Sequence, residues 1–332
     1  MRPWHGVLLL ALAACRSARV ERVTALGAPE GPEILCVVAH PDDETAFAAT
    51  LYQTRMLLDG ACDIVVITNG EGGFKYSTLA EPLYGVELTE ERIGRAELPA
   101  IRRREFLSGC AILGVRDAFF LDQSDHRYTT DPLEVLDPAA HVWDLDRVRG
   151  ELRAILAARE YDFLITLAPT AQTHGHHKAA TVLALEALAE LPAQRRPVAL
   201  CARTSKAGEV LPALTPLDGF PLTRVDAAAS GLRFDRSRTF GYRDRLDYRI
   251  VVHWVIAEHK SQGTMQLAVG EADVEEFALF AIGPVGAAGK ARAFFDSLVG
   301  SPFPVKSYGE SGAGTSPYPS MRTVVRASST SS

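Results

Sequence analysis

The chain has 332 residues, 47% of them hydrophobic, and a formal charge of −6 at pH 7. That length and apolar content suit one substantial core rather than several small domains. Mild acidity, with no basic run or arginine stripe to neutralise a phosphate backbone, argues against nucleic acid as a partner.

Arg2 precedes an apolar run over residues 7–14 that ends at Cys15. A bilayer-spanning helix takes about 20 apolar residues, so the run has the dimensions of a signal peptide instead. Leu12-Ala13-Ala14-Cys15 resembles the bacterial lipoprotein processing site, which implies that residues 1–15 form a signal with its cleavage site. On that reading Cys15 carries lipid, the membrane is a partner, and the protein is exported and anchored in the cell envelope. An ordinary cleaved signal, or a cytoplasmic start, leaves the cysteine without a role. Cys36, Cys62, Cys110 and Cys201 lie in or beside apolar runs without Cys-x-x-Cys spacing, and read as buried packing residues.

Residues 16–31 read as a polar linker. The β-branched run over 34–39 has the pattern of a strand buried on both faces, followed by a helix over 45–58 that stops near Gly60 and a second strand over 64–68. A helix over 99–113 closed by Gly114, a strand over 118–121, a helix over 145–159 and a strand over 163–167 continue the alternation. Next come a polar turn, a helix over 176–191 and a strand over 198–201. This rhythm predicts an α/β, Rossmann-like, mostly parallel sheet with helices on both faces. After Thr204 prolines and glycines break the pattern, leaving helices over 246–259 and 289–298. The expected division is a catalytic domain over 32–265, a C-terminal appendage packed on it over 266–306, and a flexible Ser/Gly/Thr-rich tail over 307–332.

The turn after the first strand is Ala39-His40-Pro41-Asp42-Asp43-Glu44. A dinucleotide site would need glycines there, and carboxylates would repel a pyrophosphate. An acidic turn capping a helix accounts for Glu44 and one aspartate but not for the histidine. A second cluster, His174-Gly175-His176-His177, stands at another strand-to-helix junction. In a parallel sheet both junctions share one edge, so His40, Asp43 and one or two of these histidines can converge on one ion. Two histidines and a carboxylate with a position open for water are the composition of a hydrolytic zinc site.

These residues resemble the PIG-L or LmbE-like zinc-dependent N-acetylglucosaminyl deacetylases, whose signature opens with Ala-His-Pro-Asp-Asp-Glu and closes with a His-x-x-His pair. The likeness extends over Thr68 to Gly72, Arg102 to Glu105 with Ile112 to Val115, and His259-Lys260-Ser261-Gln262. It implies one Zn2+ held by His40, Asp43 and His177, with Fe2+ or Co2+ as compatible ions. It further implies that Asp42 is the general base, and that His174 steadies the oxyanion and protonates the leaving amine. Arg102, Asp125 and Glu71 are implied in substrate binding, although Arg102 beside Arg103 and Arg104 also fits a solvated helix face, Asp125 a turn cap and Glu71 a tight turn. The implied activity is removal of an acetyl group from an N-acetylated amino sugar. A hydrolase of another N-acyl amide, or a lipid-anchored sugar binder without turnover, are the alternatives. One departure stands out: the family commonly has Pro-Asp between its two histidines, whereas Gly175-His176 intervenes here, so His176 competes as a ligand. The segment 74–98 is long for a strand-to-helix connection and reads as a lid or specificity loop.

Overall fold

The computed structural model describes residues 18–227 and 229–300. Cys15 with the expected processing site, and the expected tail over 307–332, lie outside the described residues. Among the described residues no helix is long and apolar enough to cross a membrane.

In chain order the elements are β1 (Arg19–Arg22), β2 (Glu33–Val38), α1 (Ala48–Leu57), β3 (Ala61–Thr68), α2 (Glu81–Tyr84), α3 (Glu91–Leu113) and β4 (Asp117–Gln123). There follow α4 (Leu133–Leu136), α5 (Leu145–Ala158), β5 (Phe163–Leu167), α6 (Gly175–Ala189), β6 (Val198–Ser205), β7 (Leu232–Asp235) and the short pair β8 (Thr239–Phe240) and β9 (Leu246–Asp247). The chain continues through α7 (Arg249–Glu258), α8 (Gly263–Gln266), β10 (Val274–Leu279) and α9 (Ala287–Gly300).

Eight strands form one sheet in the order β1-β4-β3-β2-β5-β6-β10-β7. The five from β4 to β6 run parallel, and β1, β10 and β7 add antiparallel edges. Burial on both faces follows from the sequence. In β2, Ile34, Cys36 and Val38 face one core with α1, α3, α7 and α9, while Leu35 and Val37, with Ala39 just after the strand, face the other with α5 and α6. The four cysteines at 36, 62, 110 and 201 are buried and free. Because the chain builds outward from β2 through β3 to β4 and then returns to β5, the strand order reverses at the neighbours β2 and β5. A crevice opens at such a switch point outside the carboxyl ends of the strands.

Four expectations are corrected. The linker over 16–31 contains β1, which pairs with β4 from Arg19 opposite Phe120 to Arg22 opposite Asp117; four polar-flanked residues carry no periodic signal. The helix over 45–58 begins instead as a tight 3-10 turn, Asp43–Phe47, before α1. The helix placed at 99 starts at Glu91, where the Glu90 side chain accepts from the Ile93 amide at 2.8 Å, and Pro99 lies inside it. Proline favours a first turn, which made Pro99 look like a start, but one lost amide donor is tolerated in a helix 23 residues long. Consequently the segment 74–98 is not an open loop: it holds the 3-10 turns Glu71–Tyr76 and Thr78–Ala80, α2 and the beginning of α3.

The C-terminal region is also woven in more deeply than an appendage, because β10 and β7 extend the main sheet. Buried Glu275 on β10 accepts from the Ala49 and Thr50 amides at 2.9 Å each and from the Thr50 hydroxyl at 2.6 Å, a carboxylate set on the amino end of α1. Arg236 binds Glu275 at 2.9 Å and the Thr45 carbonyl at 2.6 Å.

The amino edge of the sheet is held by Asp63, fully buried at the start of β3. It accepts from Arg116 at 2.9 and 2.8 Å, Arg159 at 2.6 Å, the Tyr161 hydroxyl at 2.8 Å and the Asp117 amide at 3.1 Å. Burial alone would raise its pKa, but Arg116, Tyr161 and Arg159 outweigh it and hold the carboxyl below its ordinary value. A depressed folded-state pKa contributes stability above the unfolded value, about 3.9, that is lost as pH falls through the folded one. Asp63→Asn should therefore cost about 3 kcal/mol or more near neutrality, with the gap to the parent protein closing as pH drops below about 4. Denaturant unfolding across that range checks it; a gap independent of pH would contradict the assignment.

Candidate metal centre and active site

The two histidine-bearing turns leave adjacent strands, β2 and β5, at their carboxyl ends, and the geometry follows from that. His40 Nδ1 lies 2.9 Å from His177 Nε2, and His177 Nε2 lies 3.0 Å from Asp43 Oδ1. Asp43 is positioned by its own turn: Oδ2 accepts the amides of Ala39 and His40 at 2.9 Å each. Burial opposes its ionisation, yet His177, His40 and the backbone donors bring its pKa down to about 2.

No more than one proton fits between two imidazole nitrogens 2.9 Å apart. The ligand atoms of His40, Asp43 and His177 all lie within 4.8 Å of one another, so a divalent cation can take the place of that proton. Two nitrogens and a carboxylate oxygen on a half-buried edge are a donor set suited to such an ion. His40, His174 and His176 also fall within 4.8 Å, on the other side of the His40 ring. There His40 Nε2 faces His176 Nδ1 at 3.2 Å and Asp125 Oδ1 at 3.6 Å. A ring that ligates through one nitrogen characteristically presents the N–H of the other to a carboxylate, and Asp125 occupies that place. The competition between His176 and His177 thus resolves spatially into two faces of one imidazole.

The acidic turn is divided among three tasks. Asp43 joins the cluster. Glu44 turns away into the core, where Oε1 meets His259 Nε2 at 2.6 Å and buried Oε2 has no partner. Half-buried Asp42 stays at the site, and burial together with the adjacent Asp43 charge raises its pKa to about 6. His174 caps α6, its Nδ1 accepting the His176 amide at 3.0 Å. Burial and the neighbouring histidines lower its pKa to about 3, so the ring is neutral at pH 7 with its proton on Nε2.

The residues implied in substrate binding sit in the wall. Arg102, 3% exposed, donates to the carbonyls of Gly70, Gly73 and Ser261, the last two at 3.2 Å. Asp125, 6% exposed, accepts the Gly72 amide at 3.0 Å on Oδ2 and lies 3.2 Å from His176 Nδ1 through Oδ1. Glu71 accepts the Asp125 amide at 3.0 Å and the Ser124 hydroxyl at 3.3 Å, and burial raises its pKa. A methyl group on Gly72 would fall 2.7 Å from the Asp125 carbonyl, which is why glycine serves there.

Several site partners carried no role in the sequence reading. Ser261 accepts from Arg102 through its carbonyl, and gives its amide and hydroxyl to Glu105 at 2.9 and 2.7 Å. Gln262 Nε2 donates to the Pro41 carbonyl. The signal was the His259-Lys260-Ser261-Gln262 run, about 220 residues after His40, whose contacts only the fold reveals. Tyr128, 75% exposed, sets its ring 5.0 Å from that of His174.

If Arg102 serves the wall, Arg102→Ala strips donors from three carbonyls and should lower stability by about 2–4 kcal/mol. Chemical denaturation reads this directly. Unchanged stability with weakened substrate binding would return Arg102 to the role its sequence position implied.

Several solved structures resemble the chain. N,N'-diacetylchitobiose deacetylase from Pyrococcus horikoshii aligns at 17% identity and a TM-score of 0.44, covering 78% of this chain and 88% of that one. A triple-mutant deacetylase of the teicoplanin biosynthetic pathway aligns at 15% identity and 0.48, covering 74% and 97%. The 4-carboxy-2-hydroxymuconate hydratase from Pseudomonas putida aligns at 14% identity and 0.43, covering 75% and 95%. No curated protein matches the chain in sequence. The family model described as PIG-L, GlcNAc-PI de-N-acetylase, matches residues 35–188, a span that holds His40, Asp42, Asp43, Arg102, Asp125, His174 and His177. Residues 35–188 of this chain are a PIG-L family domain.

Proposed function

We propose that this protein is a metal-dependent hydrolase that removes the acetyl group from an N-acetylated amino sugar or related glycoconjugate, releasing acetate and a free amine. The observation that carries the reading is the meeting of His40, Asp43 and His177 on one point, with a further carboxylate, Asp42, adjacent to the ligands and uncommitted to them. The domain family supports the same reaction.

A divalent cation such as Zn2+ on these three side chains would acidify a water and polarise the amide carbonyl. Asp42, with its pKa near 6, is ionised at neutral pH and basic enough to take a proton from the attacking water. His174, neutral and carrying its proton on Nε2, donates a hydrogen bond to the carbonyl oxygen as negative charge grows there. A ring with so low a pKa is a donor rather than an acid, so the proton collected by Asp42 is the one delivered to the departing nitrogen. The carbon–oxygen bond forms, the carbon–nitrogen bond breaks, and the carboxyl returns to its charged state. Asp125 and His176 hold His40 from behind.

Purified protein should release amine from members of a panel of N-acetylated sugars, lose that activity with chelator, and regain it with one equivalent of Zn2+. Asp42→Asn should lower kcat by about 10²–10⁴ with the metal retained, and His174→Ala by about 10²–10³. Full activity in metal-free protein would overturn the mechanism. Release from N-acyl peptides assayed alongside, with none from the sugars, would move the substrate class.

A further inference from the structure

The family match ends at residue 188, yet residues far beyond it reach back to the catalytic turn. We infer that His259 and Gln262 are positioning residues: with Glu44 they form a buried strut that fixes the peptide preceding Asp42 and so aims its carboxyl. This rests on the proposed function in taking Asp42 as the base.

The direction of the Asp42 side chain is set by the two peptide planes that flank it. The following plane is clamped locally, since the Asp42 carbonyl accepts the Thr45 hydroxyl at 2.7 Å and the Thr45 amide at 3.2 Å. The preceding plane is held twice, locally by the Asp42 amide on the His40 carbonyl at 3.0 Å and from a distance by the Gln262 side-chain amide on the Pro41 carbonyl. Gln262 is itself held, with Nε2 3.3 Å from His259 Nδ1, and the opposite ring nitrogen of His259 is 2.6 Å from Glu44 Oε1. Both ends of the strut therefore insert into the same turn, one at Pro41 and the other at Glu44, on either side of Asp42 and Asp43.

Neighbouring contacts stiffen it. Ser261, between the two positioning residues, is gripped by Glu105 and Arg102, and Arg236 holds the Thr45 carbonyl from the strand side. Glu44, His259 and Ser261 are wholly buried, and Gln262 is 5% exposed. Burying Glu44 with Oε2 unpaired is unfavourable, and an apolar contact of the same shape would stabilise the core better. Such an arrangement makes sense where orientation matters more than stability.

Gln262→Ala removes one neutral donor and leaves no charge stranded. In the full chain loaded with Zn2+, it should lower kcat about tenfold or more while KM and metal content stay within about twofold. Hydrogen exchange in a peptide spanning residues 39–47 should quicken about tenfold, with the β3 peptide unchanged. Glu44→Ala should behave likewise, and Glu44→Gln, which keeps an acceptor for His259, should restore kcat. A lowered melting temperature with unchanged kcat per loaded site, a rise in KM instead, or unaltered exchange would each overturn the inference. Quickened exchange in a protein that hydrolyses none of the substrates would sustain the strut while removing the proposed reaction.

Discussion

Everything at the site depends on the parallel pairing of β2 with β5, in register from Ile34 opposite Phe163 to Cys36 opposite Ile165. Parallel neighbours end on the same edge, and these two flank the point where strand order reverses, so the turns that follow them open into one crevice. His40 and His177, 137 positions apart in the chain, thereby come within 2.9 Å. A strand slipped by one residue would reverse its faces and aim each turn elsewhere.

The two edges of the sheet are built to different standards. At the amino edge Asp63 is saturated by five donors, and its ionic neighbours bridge β3, β4 and the approach to β5. At the carboxyl edge lie four of the six buried polar atoms that lack a partner among the described residues: Glu44 Oε2, Glu71 Oε2, Arg102 Nε and His176 Nε2. Unsatisfied buried groups are costly, and their concentration around one cluster marks where the fold gives up stability for arrangement. The same crowding separates the titrations: Asp43 falls to about 2 while its neighbour Asp42 rises to about 6, so two adjacent carboxyls suit different tasks.

Much of this was legible in the sequence because buried parallel strands and ligand-bearing turns both leave strong local signals. The strands over 34–39, 64–68 and 163–167 and the helices over 145–159 and 176–191 match the observed elements to within two or three residues at each end; the convergence of His40, Asp43 and one or two histidines of the 174–177 cluster was read from two turns at matching topological positions, and the resemblance singled out His177. What escaped notice was set by long-range contact. Strands β7 and β10 are short and lie among prolines and glycines, so only the pairing of β10 with β6 and of β7 with β10 defines them. Arg102 was read as a substrate-binding residue or, alternatively, as part of a solvated Arg102-Arg103-Arg104 face, because sequence does not show that the 70–73 turn and Ser261 supply carbonyls to it. The His259-to-Gln262 run was visible as a pattern, but its contact with Pro41 and Glu44 spans some 215 residues or more.

The central claim is that His40, Asp43 and His177 form the metal centre, and zinc-edge anomalous diffraction from crystals of the Zn2+-loaded protein tests it most directly. The account predicts a single strong peak bounded by His40 Nδ1, His177 Nε2 and an Asp43 oxygen, with Asp125 facing the other nitrogen of His40. A peak on the opposite side of that ring, among His40 Nε2, His174 and His176, or no peak at saturating zinc, would contradict it.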